Sequence, residues 1–244
     1  MRFDIITIFP KIFNSYLNES IIKRAQKNKK IKINIINLRD FALRQGLRLS
    51  SAERPQGKQL IYQRQTIDDK PYGGGPGMVF KIEPLAKALN SLSPDKGRKK
   101  EGLKKTLIIL FSASGKQFDS KMASDFAKKY DHIVMIAGHY EGIDERIKKV
   151  IENCKLKIEN LSIGPYVLTG GELPAMVVVD AISRHIPGVL GKVESLEEKR
   201  YGVGVPMYTR PEIFVHHGKK YKVPKILLSG NHKKIENWRK QHQR

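Results

Sequence analysis

Four short runs of nearly unbroken apolar residues, at 3–9, 31–37, 106–111 and 132–137, constrain this chain most. A strand with one face in water alternates apolar and polar residues, whereas a strand covered on both faces reads as a continuous apolar run. Segments of helical character lie between the runs, among them 82–92 ("IEPLAKALNSL") and 119–129. That alternation predicts a parallel α/β sheet with helices on both sides. With 244 residues, 40% of them hydrophobic, the chain can bury a sizeable core. No apolar run approaches the roughly 20 residues needed to cross a bilayer. The opening "MRFDIITIFPKIF" carries Asp4 and Pro10 and lacks a small-residue cleavage site. It reads as a first strand and not as a signal peptide.

Charge narrows the partner. Lys plus Arg is 46 and Asp plus Glu is 24, a formal net charge of +22. Basic clusters occur at 23–32, 96–105 and 219–244, the last with Glu236 as its single acid. Ordinary solvated faces mix the two signs. An excess spread over three segments predicts a large polyanion, nucleic acid before an anionic membrane surface. No basic amphipathic stretch backed by Trp and Phe favours the membrane. Cys154 is the only cysteine. It excludes an internal disulfide framework and a Cys-based zinc site and suits a reducing cytoplasm.

The segment 46–66 has weak periodicity and reads as a long insertion, and 91–105 as an exposed basic loop. Pro187, Gly188, Gly191, Gly202, Gly204 and Pro206 cluster in an expected interdomain linker at 187–207. It would separate an α/β domain at 1–186 from a small helical domain at 208–244, helical over 223–240 with a turn at "SGNH".

Chemistry is expected in three glycine-rich segments. "PYGGGPG" (71–77) sets residues free to adopt φ > 0 beside prolines with fixed φ. That describes either a plain turn cluster or a shaped loop with outward amides. No P-loop, no strand-linked G-x-G-x-x-G and no H-E-x-x-H occurs, and His216–His217 has no partner at ligand spacing. "GHYEGIDER" (138–146) follows an apolar strand and opens a helix, where ligands of open α/β sheets bind. In "SIGPYVLTGGELPAM" (162–176), glycine pairs break two apolar clusters before Glu172 and Pro174 open a helix to about residue 185. Residues alone therefore predict a basic α/β protein that binds a small polar ligand together with RNA or DNA.

"DDKPYGGGPGM" (68–78), "GHYEGIDER", "SIGPYVLTGGELPAM", "SRHIPGVLG" (183–191), "YTRPE" (208–212) and "LLSGNH" (227–232) together resemble the bacterial tRNA (guanine-N1)-methyltransferase family. The motifs occur in the family's order and cover nearly the whole chain. The resemblance implies a SPOUT methyltransferase with a deep trefoil knot, S-adenosylmethionine as methyl donor, and a homodimer with active sites at the subunit interface. It implies methylation of N1 of the tRNA guanosine just 3′ of the anticodon, in the cytoplasm. A Mg²⁺ requirement is an implication of the resemblance alone, since no carboxylate cluster shows a metal geometry.

By the same resemblance, the methyl donor would lie against Leu110, Phe111, Ser112, Gly138, Tyr140, Ile163, Gly164, Pro165, Tyr166, Val167, Leu168, Gly170 and Gly171. Ala113 replaces a proline common in the family. Tyr72, Gly73, Gly74, Gly75, Gly77, Met78, Asp144 and Arg210 would meet the target nucleotide. Arg184 would stabilise charge on guanine O6, and Glu141 would sit near the base and the methyl group. The family's basic Asp falls at Lys199 here, so Glu198 is the expected replacement, with Glu197 and Glu198 as solvated linker charges the competing reading. The resemblance also implies that the short C-terminal domain at 208–244 grips the tRNA, and relatives commonly continue through more helix after "NHKKIENWR" (231–239). A non-catalytic RNA-binding relative and another SPOUT RNA methyltransferase remain as alternatives.

Overall fold

The computed structural model describes residues 1–42, 66–92, 105–191 and 204–242. The expected insertion at 46–66, most of the basic loop and the candidate bases Glu197, Glu198 and Lys199 fall outside them, wholly or nearly so. The chain divides into two compact units, Met1–Val189 and Leu190–Arg244.

The first unit is built on five parallel strands, β1 (Arg2–Thr7), β2 (Lys32–Asn37), β5 (Thr106–Gln117), β6 (His132–Ile136) and β7 (Lys157–Ser162), in the order β2-β1-β6-β5-β7. A short antiparallel pair, β3 (Asp68–Asp69) and β4 (Val79–Phe80), flanks the glycine-rich loop. Strand alternation divides the core. Phe3, Ile5, Leu107, Ile109, Ile133 and Met135 face α1 (Phe13–Tyr16), α2 (Ser20–Lys27), α4 (Ser120–Lys129) and α6 (Glu172–Arg184). Ile6, Ile108, Leu110, Val134 and Ile136 face α3 (Ile82–Leu92) and α5 (Arg146–Asn153). The expected two-sided parallel sheet is the one observed.

Two details differ from expectation. β7 was not foreseen, because Lys157, Glu159 and Asn160 break its apolar pattern; at the sheet edge, with only β5 beside it, such a strand tolerates them. β5 runs on through Gln117. Phe111 and Lys116 both pair with Leu161, so Ser112–Gly115 bulge out of the ladder.

The amino ends of the strands hold a polar ladder. Asp4, fully buried, lies 2.8 Å from His132 Nε2 and accepts hydrogen bonds from Arg2 and Asn34. Burial raises its pKa, but His132, Arg2 and Asn34 together hold the carboxyl below the ordinary range. A folded-state pKa below the unfolded one gives stability that is present above about pH 4 and lost as pH falls through the folded value. Asp4→Ala is expected to cost about 3–5 kcal/mol at neutral pH. Denaturant titrations should show the gap to the wild-type chain narrowing in acid.

In the second unit, a β-hairpin, β8 (Ile213–His216) and β9 (Lys219–Lys222), precedes the stretch expected to be helical at 223–240. The turn residues His217 and Gly218 both have positive φ (47° and 73°), which matches the twist of a two-residue hairpin loop. The alternating Phe214, His216 and Tyr221 suit strands better than a helix. Helices α7 (Lys225–Leu228) and α8 (His232–Gln241) follow, with Asn231 capping α8 by accepting from Lys234 N at 3.1 Å. The turn expected at "SGNH" lies between them.

Candidate active site

The carboxyl ends of β5, β6 and β7 open into a cavity of about 390 Å³. Leu110, Phe111 and Ser112 contribute from β5, with Ala113 and Ser114 from its bulge. Gly138, Tyr140 and Glu141 come from the loop after β6. Ile163, Gly164, Tyr166, Val167, Leu168, Gly170 and Gly171 come from the loop after β7. Of the residues expected to hold the methyl donor, only Pro165 is not among the lining.

Close backbone approach explains the glycines. Gly171 N donates to Gly138 O at 2.9 Å, and a Cβ on Gly171 would stand 2.6 Å from the Ala137 Cα. A Cβ on Gly170 would strike the His139 ring. The loop before α6 is thus pressed onto the end of β6. Tyr140 in turn holds φ at +59°, costly for a residue with a Cβ, with its ring edge-on to Phe80 and His139.

A buried polar cluster ties these loops together. Glu172, the first residue of α6, is 3% exposed. One of its oxygens accepts from Thr7 Oγ at 2.6 Å, and the other lies 2.6 Å from His139 Nε2. An acid at a helix amino end is also favoured by the peptide dipoles. Sequence reasoning took Glu172 as a helix opener and passed over His139. The available signal was an acid placed at the head of an otherwise apolar helix.

A second cavity, about 850 Å³, adjoins the "PYGGGPG" loop and is lined by Tyr72, Phe80, Glu83, Asp144 and Arg146. Glu141, Ile143 and Glu145 line both cavities. Backbone bonds stitch the two loops together: Glu141 N donates to Met78 O at 3.1 Å, and Phe80 N to Gly142 O at 3.0 Å. Gly77 is backed directly by the Glu141 side chain, whereas Gly73, Gly74 and Gly75, all at positive φ, have nothing within 4 Å of a built Cβ. Tyr72 is fully exposed. Arg146 donates to both oxygens of Asp144, at 2.6–3.1 Å, and chiefly these bonds hold that carboxyl below its usual range. Asp144 is therefore a poor proton acceptor. Among the described residues, no group of three or more His, Cys, Asp or Glu could hold a metal ion.

Arg184 does not line either cavity. It ends α6, about 18 Å along the axis from Glu172 at 1.5 Å per residue. Arg210 lies in the second unit.

Comparison with known proteins agrees with this geometry. The family model described as tRNA (guanine-1)-methyltransferase TrmD matches residues 1–244. The chain belongs to this family. It is 41% identical to a tRNA (guanine-N(1)-)-methyltransferase of Moorella thermoacetica, over 99% of this chain and 84% of the relative. Proteins of the same name from Carboxydothermus hydrogenoformans and Dictyoglomus turgidum are 42% and 44% identical, each over 98% of this chain and 81% and 84% of theirs. Three of the six motifs that carry the family likeness, "DDKPYGGGPGM", "GHYEGIDER" and "SIGPYVLTGGELPAM", supply the loops around the two cavities. No helix among the described residues is long and apolar enough to cross a membrane.

Proposed function

We propose that this chain methylates N1 of a tRNA guanosine, using S-adenosylmethionine, at the position just 3′ of the anticodon. One observation carries the reading: the cavity at the strand ends joins a second cavity beside the glycine loop, with Glu141 on both. The first cavity has the volume of a small-molecule site and combines apolar walls, Leu110, Ile163 and Leu168, with glycine backbone, a lining that fits S-adenosylmethionine. When bound, that cofactor supplies an electrophilic methyl group. The second cavity then receives the guanosine, with Tyr72 offering a ring to stack on and Glu141 at the junction.

Guanine N1 carries a proton and is a weak nucleophile until that proton leaves. Glu198 accepts it in our reading, and Arg184 steadies the negative charge that builds on O6. A guanidinium remains charged and presents a planar fork of donors. Arg184 lies too far along α6 to serve its own chain's cavity, which favours a homodimer with shared sites. Leu173, Val177, Asp180 and Arg184 fall on one stripe of α6 by helical spacing. Leu173 and Val177 are exposed there, as are Phe9, Ile12 and Tyr16. A second copy packed twofold on that face would cover the apolar residues and bring each Arg184 toward the other's cavity.

The return of the loop after β7 onto Gly138 supports the trefoil knot that the family likeness implies. A tRNA substrate and the lone Cys154 agree with work in the cytoplasm. Mass spectrometry of tRNA incubated with the protein and methyl donor tests the whole reading. A gain of one methyl group on guanine N1 next to the anticodon is expected. Unchanged RNA, or a ribose-methylated product, would refute it.

A further inference from the structure

The buried Thr7–Glu172–His139 cluster has a fourth member that reaches the surface. Phe9 N donates to Thr7 Oγ at 2.9 Å, and Thr7 in turn donates to Glu172. The other Glu172 oxygen meets His139, and the His139 ring stands edge-on to the Phe9 ring at 4.8 Å between centroids. The contacts therefore close a circuit that begins and ends on Phe9. That residue is nevertheless 41% exposed, and it belongs with Ile12 and Tyr16 to the apolar face described above. On its inner side the circuit holds the cofactor loops. His139 bridges to Gly170, and a Cβ on Gly170 would strike both the His139 ring and the Glu172 carboxylate. Gly138, His139, Gly170 and Gly171 all line the first cavity.

A half-exposed ring that is bonded to a buried carboxylate network can be set from outside. A second copy covering Phe9 would hold its ring against His139 and its amide against Thr7. Glu172 and His139 would then be fixed, and with them the loop that carries Gly170 and Gly171. A loop already held in its binding shape costs the incoming ligand less. Linkage makes the effect mutual, since a donor that favours the fixed loop must favour the paired copies by the same factor. We propose that Thr7, Glu172 and His139 are positioning residues that couple methyl-donor binding to the pairing of two copies, with Phe9 as the group that touches both. This rests on the methyltransferase and homodimer reading above and adds the residues that join its two halves.

The test measures dimer dissociation of the full chain by sedimentation over a dilution series, with and without saturating S-adenosylmethionine. In the wild-type chain the donor should tighten the dimer by about fivefold or more. Thr7→Val keeps the volume and removes the hydroxyl, and should bring that ratio close to one. Its KM for the donor should rise while kcat at saturating donor changes little, because Thr7 touches neither substrate. Thr7→Ser restores the hydroxyl and should restore the ratio, which a loss of packing alone would not do. Phe9→Leu keeps the face apolar and removes the ring edge, so it should lower the ratio too, and it serves as the second variant should Thr7→Val fail to fold. A wild-type dimer that ignores the donor overturns the coupling and leaves the homodimer standing. A full ratio in Thr7→Val or in Phe9→Leu, or an equal loss in Thr7→Val and Thr7→Ser, overturns the role of the cluster. A wild-type chain that stays monomeric, or that does not bind the donor, refutes the reading on which the proposal rests.

Discussion

Arg184→Ala is expected to lower methyl transfer by about 10²–10³ while leaving cofactor affinity largely intact, because one donor to a developing oxyanion is lost. The cofactor cavity is lined without Arg184, so equilibrium binding of S-adenosylmethionine is the matching control. A sharper form of the experiment asks which chain supplies the arginine. Arg184→Ala and Glu141→Gln proteins, each nearly inactive alone, should regain about a quarter of the wild-type rate when dissociated and mixed in equal amounts. Half of the random dimers then pair the two variants, and one site of each holds an intact Glu141 facing an intact Arg184. If mixing restores nothing, the arginine acts within its own chain or not at all, and the shared-site dimer fails with it.

Glu198→Gln is the second large effect. The amide keeps the volume of the side chain and removes the proton acceptor, so methyl transfer should fall by about 10²–10⁴. Glu197→Gln is the neighbouring control, and a comparable loss there means that the register differs by one residue. Lys199→Ala tests a desolvated lysine whose lowered pKa lets it accept the proton. Normal rates in all three variants would move the base to Glu141. Asp144 is a weaker fallback, since Arg146 already occupies both of its oxygens.

Legibility in the sequence followed burial. The three central strands β1, β5 and β6 announced themselves because both their faces are covered, and the partly buried edge strand β2 did so through Ile33, Ile35 and Ile36; in each the apolar run starts and stops within about two residues of the strand, except where β5 continues past its bulge. β7 and the β8–β9 ribbon were hidden because an edge strand and a solvent-exposed hairpin need no apolar run. The cavity lining was readable in its motifs, since the glycines that let loops touch are fixed in chain order. The Thr7–Glu172–His139 cluster was not, because its members stand as far as 165 residues apart and no local pattern joins them. Arg184's distance from the cavity was equally invisible. A motif names a residue, but only the run of α6 shows how far away it points.

The position of β1 has a consequence for the nascent chain. Its neighbours in the sheet are β2, which follows at once, and β6, where Arg2 pairs with His132. At about 5–20 residues per second, ribosomal synthesis takes roughly 6–26 s to deliver that second neighbour. Through this interval Phe3, Ile5 and Ile6 have only one strand beside them, and the edge that β6 will occupy stays open. Long-range parallel pairing of this kind closes slowly and leaves apolar edges available to other chains. The period of greatest aggregation risk is therefore written into the strand order, and translation speed should govern the soluble yield more than the stability of the finished fold does.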